Sequence, residues 1–413
     1  MELNRVYSIF SPIYYSLCVF VLILFLMFNV NSVVLNTDQT YSFLIYLYIL
    51  LSVFGLIFRL FEGRVLVYKH FFIFLFFIFY FFLKSLFQYF DLSRFFSYTL
   101  GSSGGIVLFY FLGMFFSLNL MNNNKFLNFF SRNYFFLIFY LIFIDLSLFL
   151  ILSNALSNVR FDIFLISDLE EGYQRAGDFL VILYFISTII VFFILEKNQK
   201  ISINIFIILL YLLMLILVGS IAQIIGSNKG LVIPILIFCC TFYVFFKDLK
   251  GSNRAIIKLF FLFFIFLFFI FAFLNLDVSS LRILGYGSGE SSSFQSRYEI
   301  FVRNFYIHFI HSPYIGDLNV DTLLTGQGTY VHSFLFFSLT HFGLLGFTII
   351  FIYIFSCYRS ILGENKNLKL NKIIFLLIFV FSIFSTAVFW PVIWFVIGVL
   401  CPAFFVESRF KSI

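Results

Sequence analysis

Apolar residues come in long runs along this chain, parted by short polar stretches. A run of roughly 20 apolar residues is what a helix needs to cross a bilayer. Runs near this length recur at about 9–30, 42–58, 71–87, 106–121, 134–153, 178–195, 201–219, 230–246, 259–276, 332–357, 373–389 and 391–406. The pattern predicts an all-α polytopic membrane protein with about 12 transmembrane helices. The last two runs also suit a re-entrant pair. The opening "MELNRVYSIF" carries one Arg and then a long apolar stretch with no small-residue cleavage site, so it reads as an uncleaved first span.

Basic residues orient these spans, because Lys and Arg concentrate in cytoplasmic loops. With the N-terminus inside, 18 Lys and Arg fall on the inner side and 7 on the outer, with Lys84 inside a span. Both termini are therefore expected in the cytoplasm. Two outer loops are long, about 154–177 and 277–331, and long ordered loops tend to carry function. The whole of 1–413 is expected to form a single integral membrane domain.

Composition agrees. The chain has 413 residues, 62% of them hydrophobic and 11% charged, with mean hydropathy +1.08. A soluble domain carries about 25% charged residues, so this chain cannot cover a surface facing water. The 72 Phe read as filling for lipid-facing positions. The net charge of +7 follows from the positive-inside bias and implies no nucleic-acid partner. Cys18, Cys239, Cys240, Cys357 and Cys401 lie in or beside apolar runs without C-x-x-C spacing, and read as small hydrophobes.

The large outer loop holds "SSSFQSRYEIFVRNFYIHFIHSPYIG". Ser296 and Glu299 have the spacing of a capping box that opens a helix. His311-Ser312-Pro313 closes it, since the residue before Pro avoids helical geometry. Arg297, Asn304, His308 and His311 then share one narrow face of an amphipathic helix suited to the membrane interface. Both outer loops are net acidic. Arg160, Arg175, Arg297 and Arg303 therefore either pair with those acids or point at one specific anion; a guanidinium matches phosphate oxygens two at a time.

Asp145 sits near the middle of the fifth run, where a carboxylate costs about 2.5–3.5 kcal/mol on insertion scales. It reads as a helix-packing residue or a proton relay, with Lys84 as a conceivable partner. "GSNKG" at 226–230 lacks the full phosphate-loop pattern, and no zinc, haem or dinucleotide motif occurs.

The stretch "TGQGTYVHSFLFFSLTHFGLLGF" at 325–347 opens a run with a polar ring, His332. His332-Ser333, nine residues, Gly343, two residues and Gly346 resemble the His-[Asn/Ser/Arg]-x9-Gly-x-x-[Gly/Thr/Tyr] pattern of the O-antigen ligase/polymerase superfamily. Three other stretches agree in order. "RAGDFLVI" at 175–182 is similar to that family's Arg-x-x-Gly-x-Phe entry to a span, with the glycine one residue early. "GSNKG" is similar to its Ser-Arg-Gly segment, with Lys229 for the arginine, and "SRYEIF…SPYIG" resembles its loop arginine and Ser-Pro-x-x-Gly. The polymerase Arg-x10-Gly motifs are not met: Arg160 reaches Gly172 one residue too late.

The resemblance covers roughly residues 175–346 and implies a metal-independent inverting glycosyltransferase of GT-C-type fold, without cofactors, in the bacterial inner membrane. The implied donor is a glycan on undecaprenyl diphosphate, with membrane lipid around it and a chain-length regulator as an implied protein partner. His332 would take a proton from the acceptor hydroxyl or hydrogen-bond the diphosphate; an imidazole titrates near neutrality. Arg175 and Arg297 would stabilise the leaving charge. Arg160, Lys229, Arg303, His308 and His311 would bind diphosphate or glycan. A polymerase is favoured. A ligase to lipid A-core remains the second reading, and a lipid-linked oligosaccharide flippase the third, although that class predicts internal repeats and midplane charges.

Overall fold

The computed structural model describes residues 2–35, 42–61, 64–67, 70–89, 92–100, 105–120, 134–158, 170–197, 201–225, 227–248, 309–318, 333–361, 366–385, 388–400 and 404–407. Six helices among them are long and apolar enough to cross a membrane: Ile13–Val34, Phe71–Gln88, Tyr134–Leu156, Gln174–Phe192, Ile203–Ile224 and Phe334–Ser360. This makes the chain a multi-pass membrane protein. Five shorter apolar helices, Phe43–Ile57, Ile106–Leu118, Lys229–Phe245, Leu370–Ile383 and Pro391–Leu400, fall on the remaining expected runs. The run at 259–276 lies outside the described residues.

Lipid-facing character is visible on the helix surfaces. Phe72, Phe87, Phe135 and Phe139 are each at least 70% exposed, which a protein surrounded by water would avoid. Backbone groups in hydrocarbon must be satisfied internally, and helices do this unaided.

The chain divides into two compact units, one of residues 1–32, 37–133 and 300–413, the other of 33–36 and 134–299. The first contains α1 (Glu2–Val34), α2 (Ser42–Phe61), α3 (Phe71–Tyr89), α4 (Leu92–Leu100) and α5 (Ile106–Leu120). It also holds α10 (Phe334–Ser360), α11 (Lys366–Ser385) and α12 (Pro391–Leu400). The described residues are almost entirely helical, as expected; beside the helices, β1 (Arg64–Val67) runs antiparallel to β2 (Phe404–Glu407), with Arg64 opposite Glu407. The final run therefore does not continue as helix to 406.

At the centre of this unit α5 and α12 touch backbone to backbone. A Cβ on Gly113 would run into the Phe395 carbonyl, and one on Gly398 into the Tyr110 carbonyl. Every residue of α12 is buried. Its 10 residues rise only about 15 Å, half of a roughly 30 Å hydrocarbon core. Aromatic rings fill the space around it. Phe77 stacks on Trp394 with centroids 5.9 Å apart and Phe74 on Tyr110 at 4.0 Å, while Trp394 Nε1 donates to the Val388 carbonyl at 2.6 Å. α4, outside the expected runs, lays Phe95 against Phe81 and Phe82 of α3.

The second unit contains α6 (Tyr134–Asn158), α7 (Glu170–Lys197), α8 (Ile201–Ile224) and α9 (Asn228–Asp248). α7 is its central helix, with 94% of Gln174–Phe192 buried. Tyr184 stacks on Tyr211 at 4.9 Å, and the Thr188 hydroxyl meets the Tyr211 hydroxyl at 2.5 Å.

Candidate functional site

In the first unit the chain builds a junction between the Ser-Pro-x-x-Gly loop and the glycine following His332-Ser333. α10 begins properly: Ser333 has extended backbone, φ −148°, and its hydroxyl accepts from the Phe336 N–H at 3.4 Å while donating to the Ile383 carbonyl of α11. Ten residues later the helix breaks at Gly343, φ 65° and ψ −173°. Side-chain-bearing residues scarcely populate that region, so only glycine holds it cheaply.

A broken helix leaves carbonyls and N–H groups without partners, and the loop supplies them. The Leu344 and Leu345 N–H groups donate to the Pro313 and Tyr314 carbonyls at 2.9 and 3.1 Å. The Asp317 N–H donates to the Thr340 carbonyl at 3.0 Å. The loop closes on itself through the Gly316 N–H and the Ser312 carbonyl at 2.8 Å. Gly316, φ 73°, lies against the kink with no room for a side chain.

α3 clamps the loop from outside with three residues four apart, which helical periodicity puts on one face. The Tyr80 hydroxyl lies 2.8 Å from the Phe342 carbonyl and 3.2 Å from that of Ile315. It has one proton, so the shorter bond dominates. The Lys84 ammonium donates to the Ile315 carbonyl, and Gln88 Nε2 donates to that of Gly316 at 3.2 Å. Lys84 is 5% exposed and is attracted by the Asp317 carboxylate. Its charge is thus engaged within its own unit.

Asp317, itself 7% exposed, holds a carboxylate oxygen 3.4 Å from Nε2 of His311, whose side chain is 52% exposed. His311 closes a helical turn just before Ser312-Pro313, where the proline was expected to end a helix. A second histidine, His341, is buried beside the junction, stacked on Phe337 at 3.6 Å with Nδ1 2.9 Å from the Thr340 hydroxyl. Sequence reasoning passed over it; the Phe337/His341 spacing of one helical turn was the available signal.

In the second unit α7 and α9 meet at two other quoted segments. Ser227 caps α9, its hydroxyl accepting from the Gly230 N–H at 3.2 Å. A Cβ on Gly177 would lie 2.8 Å from Ser227 Cβ, and one on Gly230 would lie 3.2 Å from Gly177 Cα. The glycine of "RAGDF" is therefore packed on "GSNKG". Arg175 and Lys229, both half-buried, stand within two residues of this contact, near the N-terminal ends of α7 and α9. Helix N-termini and cations both favour an anion there.

Asp145 lies on the buried stripe of α6 with Ile144 and Leu148; neither oxygen has a hydrogen-bond partner among the described residues. His332, Arg297, Arg160, Arg303 and His308 lie outside the described residues. Among the described residues no group of three His, Cys, Asp or Glu could hold a metal ion.

The chain was compared with protein-family models, with curated proteins and with solved structures, and it matches none of them.

Proposed function

We propose that the chain is a polymerase of O-antigen or a related surface polysaccharide. It would transfer the growing glycan from undecaprenyl diphosphate onto the next lipid-linked repeat unit at the periplasmic face of the bacterial inner membrane. The observation that carries this reading is the lock between Gly316 and Gly343, which joins two of the four motif segments through their backbones. The Gly177 contact with Ser227 and Gly230 joins the other two and supports it further.

The polytopic GT-C-type arrangement of about 12 spans, with both termini cytoplasmic, belongs to the same reading. On that orientation the C-terminal end of α3, the loop at 312–317, Arg175 and Lys229 all lie at outer ends of spans, where lipid diphosphates are found. Transfer requires an acceptor hydroxyl to lose its proton and the diphosphate to have its developing charge stabilised. Arg175, with Lys229, suits the second task, and Arg297, Arg160 and Arg303 are its other candidates. His332, which precedes the Ser333 cap in sequence, suits the first or a hydrogen bond to the diphosphate.

The test is reconstitution. The purified chain in proteoliposomes should lengthen undecaprenyl-diphosphate-linked glycan extracted from a strain lacking this gene. Movement of that lipid across the bilayer without any lengthening would contradict the proposal.

A further inference from the structure

The clamp around the loop leaves one imidazole facing outward with a buried carboxylate behind it, and the polymerase reading gives that arrangement a task. Asp317 is fixed on three sides. Its N–H is bonded to the Thr340 carbonyl at 3.0 Å, the preceding residue's carbonyl is held by Gln88 at 3.2 Å, and the Lys84 ammonium attracts its carboxylate. From this fixed position it faces Nε2 of His311 at 3.4 Å. A carboxylate that accepts from one ring nitrogen holds the proton on that nitrogen and turns the other toward the substrate. In that arrangement Nδ1 is the ring nitrogen of His311 that faces away from Asp317.

The geometry points to a carboxylate–imidazole dyad, Asp317 and His311, in which His311 Nδ1 accepts the proton of the acceptor hydroxyl during glycan transfer. This rests on the polymerase reading. In the step, the acceptor oxygen bonds to the anomeric carbon of the donor glycan. The bond from that carbon to the undecaprenyl diphosphate oxygen breaks, and its electron pair leaves with the diphosphate. The hydroxyl proton goes to Nδ1, the imidazolium is stabilised by the Asp317 carboxylate, and water later removes the proton.

Four features separate this pair from an incidental ion pair. The Asp317 carboxylate is buried while the His311 side chain is 52% exposed. Lys84 and Tyr80 of α3, facing the loop, spend their donors on main-chain carbonyls and leave the ring unobstructed. His341 of α10 is buried and stacked on Phe337, so it cannot take the same task. Ile310, Tyr314 and Ile315, close to His311 in the chain, are exposed large hydrophobics, as suits a site reached by a lipid-linked substrate.

The test uses the full-length chain in proteoliposomes, with lipid-linked glycan extracted from a strain deleted for this gene. His311→Ala should lower the initial rate of lengthening by about 10²–10⁴-fold, the usual worth of a general base. Added imidazole should restore part of it, in proportion to its unprotonated fraction. Asp317→Asn should lower the rate as well, with no response to imidazole. If wild type lengthens the glycan and His311→Ala matches it, the dyad falls while the polymerase reading stands. A His311→Ala variant that loses only substrate affinity, with kcat intact and no imidazole response, also overturns the base role. If wild type lengthens nothing, both readings fall together.

Discussion

Gly316 and Gly343 are packed main chain on main chain: a Cβ built on Gly343 would fall 2.5 Å from the Gly316 nitrogen. Both have positive φ, 73° and 65°, and residues 313 and 314 of the loop accept the N–H groups that the break in α10 releases. A kink in a membrane helix is thereby satisfied by protein rather than left open to lipid, as hydrocarbon demands.

Gly343→Ala should therefore be severely destabilising. The conformation alone costs a side-chain-bearing residue about 1–3 kcal/mol, and the overlapping atoms are backbone, which cannot swing aside. Gly219→Ala is the control, since its Cβ would meet only the end of Leu231 at 3.1 Å. Thermal unfolding in detergent should show a marked fall for Gly343→Ala and little change for Gly219→Ala. Equal behaviour of the two would refute the junction.

The parts of this junction were legible in the sequence, but their meeting was not. Ser312-Pro313 read as the end of a helix from local chemistry, and Gly316 and Gly343 as parts of two motifs. The bonds joining them are main-chain bonds, which leave no side-chain pattern. Lys84 was unreadable for another reason: its partner carbonyl at Ile315 lies 231 residues away, and any residue type can offer a carbonyl. That is why Asp145, the other charge in an apolar run, was the more visible partner. The span pattern itself was readable because 3.6-residue helices in lipid need only length and apolarity.

Lys84 and Asp317 should be energetically linked. Lys84→Met removes the donor to the Ile315 carbonyl and the cation that attracts the buried Asp317 carboxylate, and should lower the unfolding midpoint. Asp317→Asn in the same chain should recover part of that loss. A double-mutant cycle on unfolding midpoints should give a coupling of about 0.5–3 kcal/mol. Strict additivity would mean that Lys84 serves the Ile315 carbonyl alone.

Asp145 offers an opposite sign. Its carboxyl is 4% exposed and without a hydrogen-bond partner among the described residues, so it stabilises nothing visible there. Asp145→Leu should keep or raise thermal stability, since a buried polar group without partners costs about 1–3 kcal/mol in proteins. A lowered midpoint would reveal a structural partner. A raised midpoint with lost activity would instead assign Asp145 to function.

At the α7–α9 contact, Gly177→Ala should loosen the packing, because its Cβ would crowd Ser227 Cβ at 2.8 Å. Overpacking costs about 1–3 kcal/mol. Ser227→Gly in the same chain should restore the midpoint by removing the crowding atoms. Persistent destabilisation of the double variant would show that the two helices do not meet there.

The guanidinium of Arg175 should matter as a fork rather than as a charge. Arg175→Lys keeps the charge but loses two-point binding of phosphate oxygens. It should remain close to Arg175→Ala in the initial rate of glycan lengthening. Full activity of Arg175→Lys would reduce the role to simple charge.

The central claim is polymerisation, and the most direct measurement is a surface-polysaccharide gel from a strain lacking this gene, complemented with wild type or with Gly343→Ala. The deletion should leave acceptor carrying a single repeat unit in place of the ladder, wild type should restore the ladder, and Gly343→Ala should not. Bare acceptor in the deletion strain would contradict the account. Polymer held on the lipid carrier would then indicate a ligase, and a carrier-linked single unit that never reaches the outer face would indicate a flippase.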